Sequence, residues 1–170
     1  MPTEHPSRRS AHGPVGTTEL DEALAYLGVT RLQGAYGDAV TRRSWGELDA
    51  MFLPDAPLHL DLRNGTVLEL VGGGAIGEFI AGAVERFEFF EFALLNTVVD
   101  VDGPDSATGR LYMWELRQDA ASGRWTNAYG LYQDRYVRRD GRWRFAERWY
   151  HSLARSGSDA VVFDIPDRKA

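Results

Sequence analysis

The chain has 170 residues, 44% of them hydrophobic and 26% charged, with a net charge of −6 and no cysteine. This is the composition of one globular domain with room for a real core, not of a disordered chain. It excludes disulfides, thiolate nucleophiles and cysteine-based zinc sites. The acidic balance argues against nucleic acid as a partner, because phosphate binding needs a basic footprint.

Residues 1–16 hold Pro, Ser, Gly and His with no apolar run, so they read as a mobile tail rather than a signal peptide. Thr17-Thr18-Glu19-Leu20-Asp21 is a helix start, a hydroxyl cap followed by acids. Leu20, Leu24, Leu27, Leu32, Ala35 and Val40 carry that helix to about Arg43, with a break expected near Gly28. A second helix runs from Ser44 through Trp45, Leu48, Met51 and Phe52 until Pro54-Asp55 stops it. Leu58, Leu60 and Leu62 alternate with His59, Asp61 and Arg63 as a strand, and Asn64-Gly65 turns it into Val67 to Val71. Gly72-Gly73-Gly74 lacks the sequel of a phosphate loop and reads as a turn into a helix with Ile76, Phe79, Ile80, Ala83 and Phe87 on one side.

Four strands follow: Phe92 to Val101, Gly109 to Gln118, Trp125 to Arg138 and Trp143 to Ser152. Short Gly-containing turns join them, which predicts an antiparallel meander. The domain therefore spans 17–153, and the tail 154–170 carries one apolar patch, Val161-Val162-Phe163, that docks on the domain or on a partner. Alternation puts Leu111 and Met113 on one side of a strand and Tyr112 and Trp114 on the other. The second side needs cover, so a homodimer is expected. Glu69, Glu78 and Glu85 interrupt the longest apolar stretch, so no membrane span and no membrane partner are expected, and a reducing cytoplasm is the simplest setting.

Four segments together resemble the SnoaL-like family of the nuclear transport factor 2-like superfamily. They are Gly34-Ala35-Tyr36 through Trp45, Phe52-Leu53-Pro54-Asp55-Ala56, Leu94-Leu95-Asn96 through Gly103, and Gly130-Leu131-Tyr132-Gln133-Asp134-Arg135-Tyr136 with Asp140-Gly141-Arg142-Trp143-Arg144-Phe145. The resemblance implies an α+β fold, a cone in which a curved antiparallel sheet wraps N-terminal helices around a pocket. It also implies acid–base chemistry with no metal and no organic cofactor, as in polyketide cyclases, scytalone dehydratase and steroid isomerases. Fold alone does not fix the reaction. The chain departs from the dehydratase pattern: the Asp position is Thr41, the His position Phe92, the Tyr position Leu62 and the Asn position Tyr132.

What remains can still remove a proton. A carboxylate raised in an apolar pocket serves as base, and a Tyr hydroxyl as donor to a developing oxyanion. Glu115, on the side of Leu111 and Met113, and Asp134, beside Tyr132 and Tyr136, are the base candidates. Asp134 has a structural alternative, pairing with Arg148. Tyr132, Tyr36 and Asn96 are the donors. Phe92, Trp114, Leu62, Trp45 and Arg148 complete the expected substrate contacts. Glu147 is placed with Phe145 and Trp149. His59 and His151 read as exposed strand residues. The arginines from Arg135 to Arg148 read as a solvated face. No His pair has ligand spacing and no Gly-x-Ser-x-Gly elbow occurs, so neither a metal nor serine hydrolysis is expected. The expected function is isomerisation, cyclisation or hydration/dehydration of a small apolar molecule. The alternatives are a non-catalytic binding module and an accessory subunit of a larger enzyme.

Overall fold

The computed structural model describes residues 17–158 and 160–167. Helix α1 (Thr17–Thr41) runs 25 residues without a break. Gly28 does not end it. The Trp143 indole lies where a side chain at 28 would stand, with Cδ1 2.4 Å from a Cβ built there. The glycine is thus a packing notch inside a continuous helix, and tertiary contact overrides its low propensity. A single 3-10 turn (Trp45–Glu47) leads into the short α2 (Leu48–Met51). The strands are β1 (Pro57–Asp61) and β2 (Val67–Val71), then, after helix α3 (Gly73–Val84), β3 (Phe87–Gly103), β4 (Ser106–Asp119), β5 (Trp125–Arg139), β6 (Arg142–Arg155) and β7 (Val161–Val162). No helix among the described residues is long and apolar enough to cross a membrane.

Phe87 belongs to β3, not to the helix before it. The run Phe87-Glu88-Phe89-Phe90-Glu91-Phe92 is rich in aromatics, which suit a pleated surface better than a helix. Gly72, at φ 80°, starts α3 in a conformation that glycine accepts freely. Gly73 then lets the helix touch the backbone of α2: a Cβ at 73 would lie 2.4 Å from the Leu48 carbonyl oxygen. The glycine run is a close backbone approach.

The sheet order is β2-β1-β6-β5-β4-β3, with β7 added to β6. It is mixed, which corrects the expectation of an antiparallel sheet. β1 lies parallel to β6, with Leu58 opposite Arg148 and Asp61 opposite His151. The turns that join β3 to β6 fix only neighbours in sequence; what brings the first hairpin to the last strand is burial. In that register Leu58 and Leu60 enter the core, and His59 stacks on Trp149 outside it at 3.9 Å between centroids. A bulge between Arg135 and Tyr136 shifts β5 against β6. Phe145 consequently points inward with Arg148 and Tyr150, whereas Glu147 and Trp149 hydrogen-bond outside at 2.9 Å. Alternation alone, which groups Glu147 with Phe145 and Trp149, misses that shift. The C-terminal segment folds back on the domain: Phe163 N donates to Leu153 O at 2.8 Å, and Gln133 Nε2 to Asp167 O at 3.0 Å.

The inner sheet surface closes on α1 and α2 through aromatic contacts. Tyr36 meets Phe145 at 5.6 Å, and Phe52 stacks on Phe145 at 4.8 Å. Gly73→Ala should lower stability by about 2–3 kcal/mol, because the new methyl meets backbone that cannot swing away. Gly34→Ala, in the middle of α1 with nothing within 4 Å, should raise it by about 0.5–1 kcal/mol. Urea unfolding midpoints of the two variants check both signs.

Candidate functional site

Between the inner sheet surface and helices α1 and α3 lies a cavity of about 250 Å³. Helix α1 contributes Tyr36 and Val40, at i and i+4 on one side of the helix. Helix α3 contributes Phe79, Ile80 and Val84, and β1 contributes Leu58 and Leu60. The sheet supplies the polar minority, each group from an inward position of its strand: Glu115 and Arg117 on β4, Tyr132 on β5, Tyr150 and Ser152 on β6. Phe92 and Leu62 complete the predicted residues found in the wall, Leu62 at its 36% exposed rim.

Glu115 stands opposite Phe92 on β3 and Ala128 on β5, neither of which can pair with it. Its only ionic contact among the described residues is a loose one, 3.5 Å to Arg117 Nη1, and 22% of its side chain stays exposed. Burial pushes its carboxyl above the usual carboxylate range, and the Arg117 charge draws it only part of the way back. Burial likewise raises the phenols of Tyr36 and Tyr132, and Tyr150 with them, further raised by the Glu115 charge. All three rings are therefore neutral hydrogen-bond donors at ordinary pH. The Tyr36 and Tyr132 rings also meet edge to face, at 6.4 Å between centroids.

Behind this wall lies a buried ion pair. Arg148 and Asp134 are each fully enclosed as side chains. Arg148 Nε donates to Asp134 Oδ1 at 2.9 Å and Nη2 to Oδ2 at 3.0 Å. The Tyr136 hydroxyl donates to Oδ2 at 2.7 Å and accepts from Gln33 Nε2 at 2.7 Å. The guanidinium carbon lies 4.2 Å from the Tyr36 ring centroid, 4.0 Å from that of Tyr132 and 4.1 Å from that of Phe145. Asp134 is thus engaged on both oxygens and does not reach the cavity, and Arg148 sits behind the tyrosines rather than beside a ligand. Arg148 also stands apart from the solvated arginines expected on its strand.

Three further predicted residues lie elsewhere. Asn96 is exposed on β3. Trp114 is on the outer surface, where its Nε1 donates to Asn127 Oδ1 at 2.8 Å and its ring runs parallel to Tyr129. Trp45 packs beneath α3, its Cβ 3.3 Å from a Cβ built at Gly77. His59 and His151 lie on the outer side of the sheet, as expected, but neither is exposed. His59 is half-buried, with Nδ1 3.3 Å from Glu69. His151 is buried, with Nδ1 3.2 Å from Asp61 Oδ2. The two positions where dehydratase-like members would carry Asp and His do adjoin, since Phe92 N donates to Thr41 Oγ1 at 3.0 Å. They hold no group that titrates near neutral pH. Sequence reasoning missed Arg117, Tyr150, Ser152 and Arg155. A signal for the first three was available: Arg117 sits two residues from Glu115, and Tyr150 and Ser152 follow Arg148 in the same alternation.

A family model described as a SnoaL-like domain matches residues 21–149. No curated protein matches the chain in sequence. Among solved structures, a candidate scytalone dehydratase from Novosphingobium aromaticivorans DSM 12444 is 18% identical with a TM-score of 0.73, covering 88% of this chain and 98% of its own. The hexachlorocyclohexane dehydrochlorinase LinA-type3 from Novosphingobium barchaimii LL02 is 18% identical with a TM-score of 0.71, covering 87% and 99%. A protein of unknown function from Mycobacterium tuberculosis, solved as a single-substitution variant, is 23% identical with a TM-score of 0.68, covering 84% and 79%. At these identities the likeness is one of fold.

Asp134→Ala should destabilise the protein by about 3–5 kcal/mol, because it leaves the Arg148 charge buried without a partner. Asp134→Ala combined with Arg148→Met should recover part of that loss. Thermal unfolding of the two variants beside the native chain measures both.

Proposed function

Because the chain belongs to the SnoaL-like domain family, we propose that its cavity takes a small, largely apolar molecule and abstracts a proton from it without a cofactor. The observation that supports this is Glu115, a raised carboxyl in the wall of an apolar cavity that tyrosines also line. Glu115 is the base. It removes a proton from a carbon next to a carbonyl or to a leaving group. Tyr132 donates a hydrogen bond to the oxygen or leaving atom that gains charge, with the Tyr36 ring packed edge to face against it. Return of the proton to another carbon gives isomerisation. Attack of the carbanion on a carbonyl carbon of the same molecule, with the proton going to the resulting alkoxide, gives cyclisation. Loss of the leaving group gives elimination. The dehydrochlorinase and dehydratase names among the structural neighbours favour elimination. With Thr41 and Phe92 at the His–Asp positions, the base must come from another wall, and β4 supplies it.

A second reading, a non-catalytic module that binds the same molecule, draws on that loss of the His–Asp pair. Native mass spectrometry of the purified protein, followed by turnover of any retained molecule, separates the two. On the catalytic reading Glu115→Gln should cut turnover by about 10²-fold or more and leave binding within a few-fold. Tyr132→Phe should cut turnover less. Turnover should rise with pH through a value above the ordinary carboxylate range, because the base works only when deprotonated. Stability should run the other way. The folded chain holds the Glu115 proton more tightly than the unfolded one, so the contribution of this group to stability falls as pH rises from 4.5 through the raised folded value. Glu115→Gln should therefore raise the melting temperature at pH 7.

We propose further that two copies pair through the outer surface of β3 to β5, where Leu95 and Val98 are 55% and 46% exposed beside Tyr112, Trp114 and Tyr129. Light scattering should then give twice the 19.0 kDa chain mass, and Leu95→Glu should restore the single mass. The cysteine-free sequence fits a reducing cytoplasm.

A further inference from the structure

At one end of the sheet the cavity wall continues into a second recess of about 230 Å³ with a different chemistry. Four strand ends meet there: the start of β3 with Arg86 and Phe87, the end of β4 with Arg117 and Asp119, the start of β5 with Arg124 and Thr126, and the end of β6 with Arg155 and Ser156. Phe87, Arg117 and Arg155 line both spaces, so cavity and recess share a wall.

Charge sets this recess apart from the rest of the molecule. Among the described residues four arginines stand against one carboxylate in its lining, in a chain whose net charge is −6. That carboxylate, Asp119, is committed to its own turn: Oδ1 accepts from Ser122 N at 2.9 Å and from Ser122 Oγ at 2.8 Å. Arg86, Arg124 and Arg155 have no ion pair within 4 Å among the described residues. Arg155 donates Nε to Ser152 Oγ at 3.2 Å and Nη2 to Leu62 O, and the Asp119 charge feels Arg86 only at longer range. Arg117 has only its loose contact with Glu115, and its buried Nε has no acceptor among the described residues. Arg86 and Arg117 also lie over the Phe87 ring, at 4.8 and 5.3 Å from its centroid. That ring holds two like charges close together where the apolar cavity ends. Guanidinium groups gathered this way, with N–H groups to spare, are built for an anionic oxygen group.

We propose that the recess binds the anionic head, a carboxylate or a phosphate, of a molecule whose apolar body fills the adjoining cavity. This rests on the reading of the cavity as a binding site and narrows it: the substrate is an amphiphilic anion. Arg117 and Arg155 contact the head from the shared wall, and Arg86 and Arg124 draw it in from the outer side. The head then fixes which carbon of the body lies against Glu115, so the recess sets orientation as well as affinity.

Calorimetric titration with matched pairs tests this. The probes are 2-naphthoate against 2-naphthamide, decanoate against decanamide, and 2-naphthyl phosphate. Each acid should bind about tenfold tighter than its amide, and the preference should weaken with salt. The tighter of naphthoate and naphthyl phosphate names the head group. The double variant Arg86→Gln/Arg124→Gln, at two exposed positions outside the cavity, should shrink that preference to about threefold or less and leave amide binding unchanged. Equal binding of acids and amides by the native protein would overturn the anionic recess and leave the apolar cavity standing. Loss of amide binding in the double variant would overturn it too, by giving those arginines a structural role. If no pair binds, the cavity reading falls and takes this proposal with it.

Discussion

The Arg148–Asp134 pair is the constraint on which the interior depends. A guanidinium enclosed in the core is tolerated only if its charge is met. Asp134 meets the charge in two hydrogen bonds, and three aromatic rings cover the planar group. Those rings come from α1, β5 and β6, so one charge ties the long helix to two strands. Gln33 and Tyr136 extend the same network back into α1. A buried pair of this kind is weak as a source of stability but strong as a specifier, since few alternative packings satisfy it.

The cavity follows from that anchor. Tyr36 and Tyr132 pack on the guanidinium and also line the cavity. Their rings are thus placed by a pair of residues that lie outside the cavity wall. Precision of this sort is what a site needs from its supporting shell. The cavity wall thus joins leucines and phenylalanines from β1 and α3 to tyrosines, Glu115 and the arginines of the strand ends.

Glu115 carries the cost of this arrangement. Opposite it stand Phe92 and Ala128, and the Arg117 cation is held at 3.5 Å. A tighter partner would stabilise the fold and pull the carboxyl down into the ordinary range, where it would be a weaker base. Burial keeps it raised, and the loose contact offsets only part of that.

Much of this was legible in the sequence. Alternation in Leu111-Tyr112-Met113-Trp114-Glu115 put Glu115 on the inner side, and the Gly-containing turns gave the neighbours of β3 to β6. The ordered motifs gave the family. The sequence also singled out Tyr36, Phe92, Leu62 and Tyr132, all of which reach the cavity. It could not decide between two roles for Asp134, because pairing with Arg148 depends on the register of β5 against β6 and on a bulge that local pattern does not reveal. Alternation put Trp114 on the side away from Glu115, but local pattern could not place Asn96, which follows the β3 bulge at Leu94/Asn96, or Trp45, which packs against α3. The parallel docking of β1 on β6 and the meeting of Arg86, Arg117, Arg124 and Arg155 join residues far apart in the chain. Periodicity acts over a few residues and fixes which side of an element is apolar; only burial in three dimensions decides which apolar sides meet, and which charges are left together where they end.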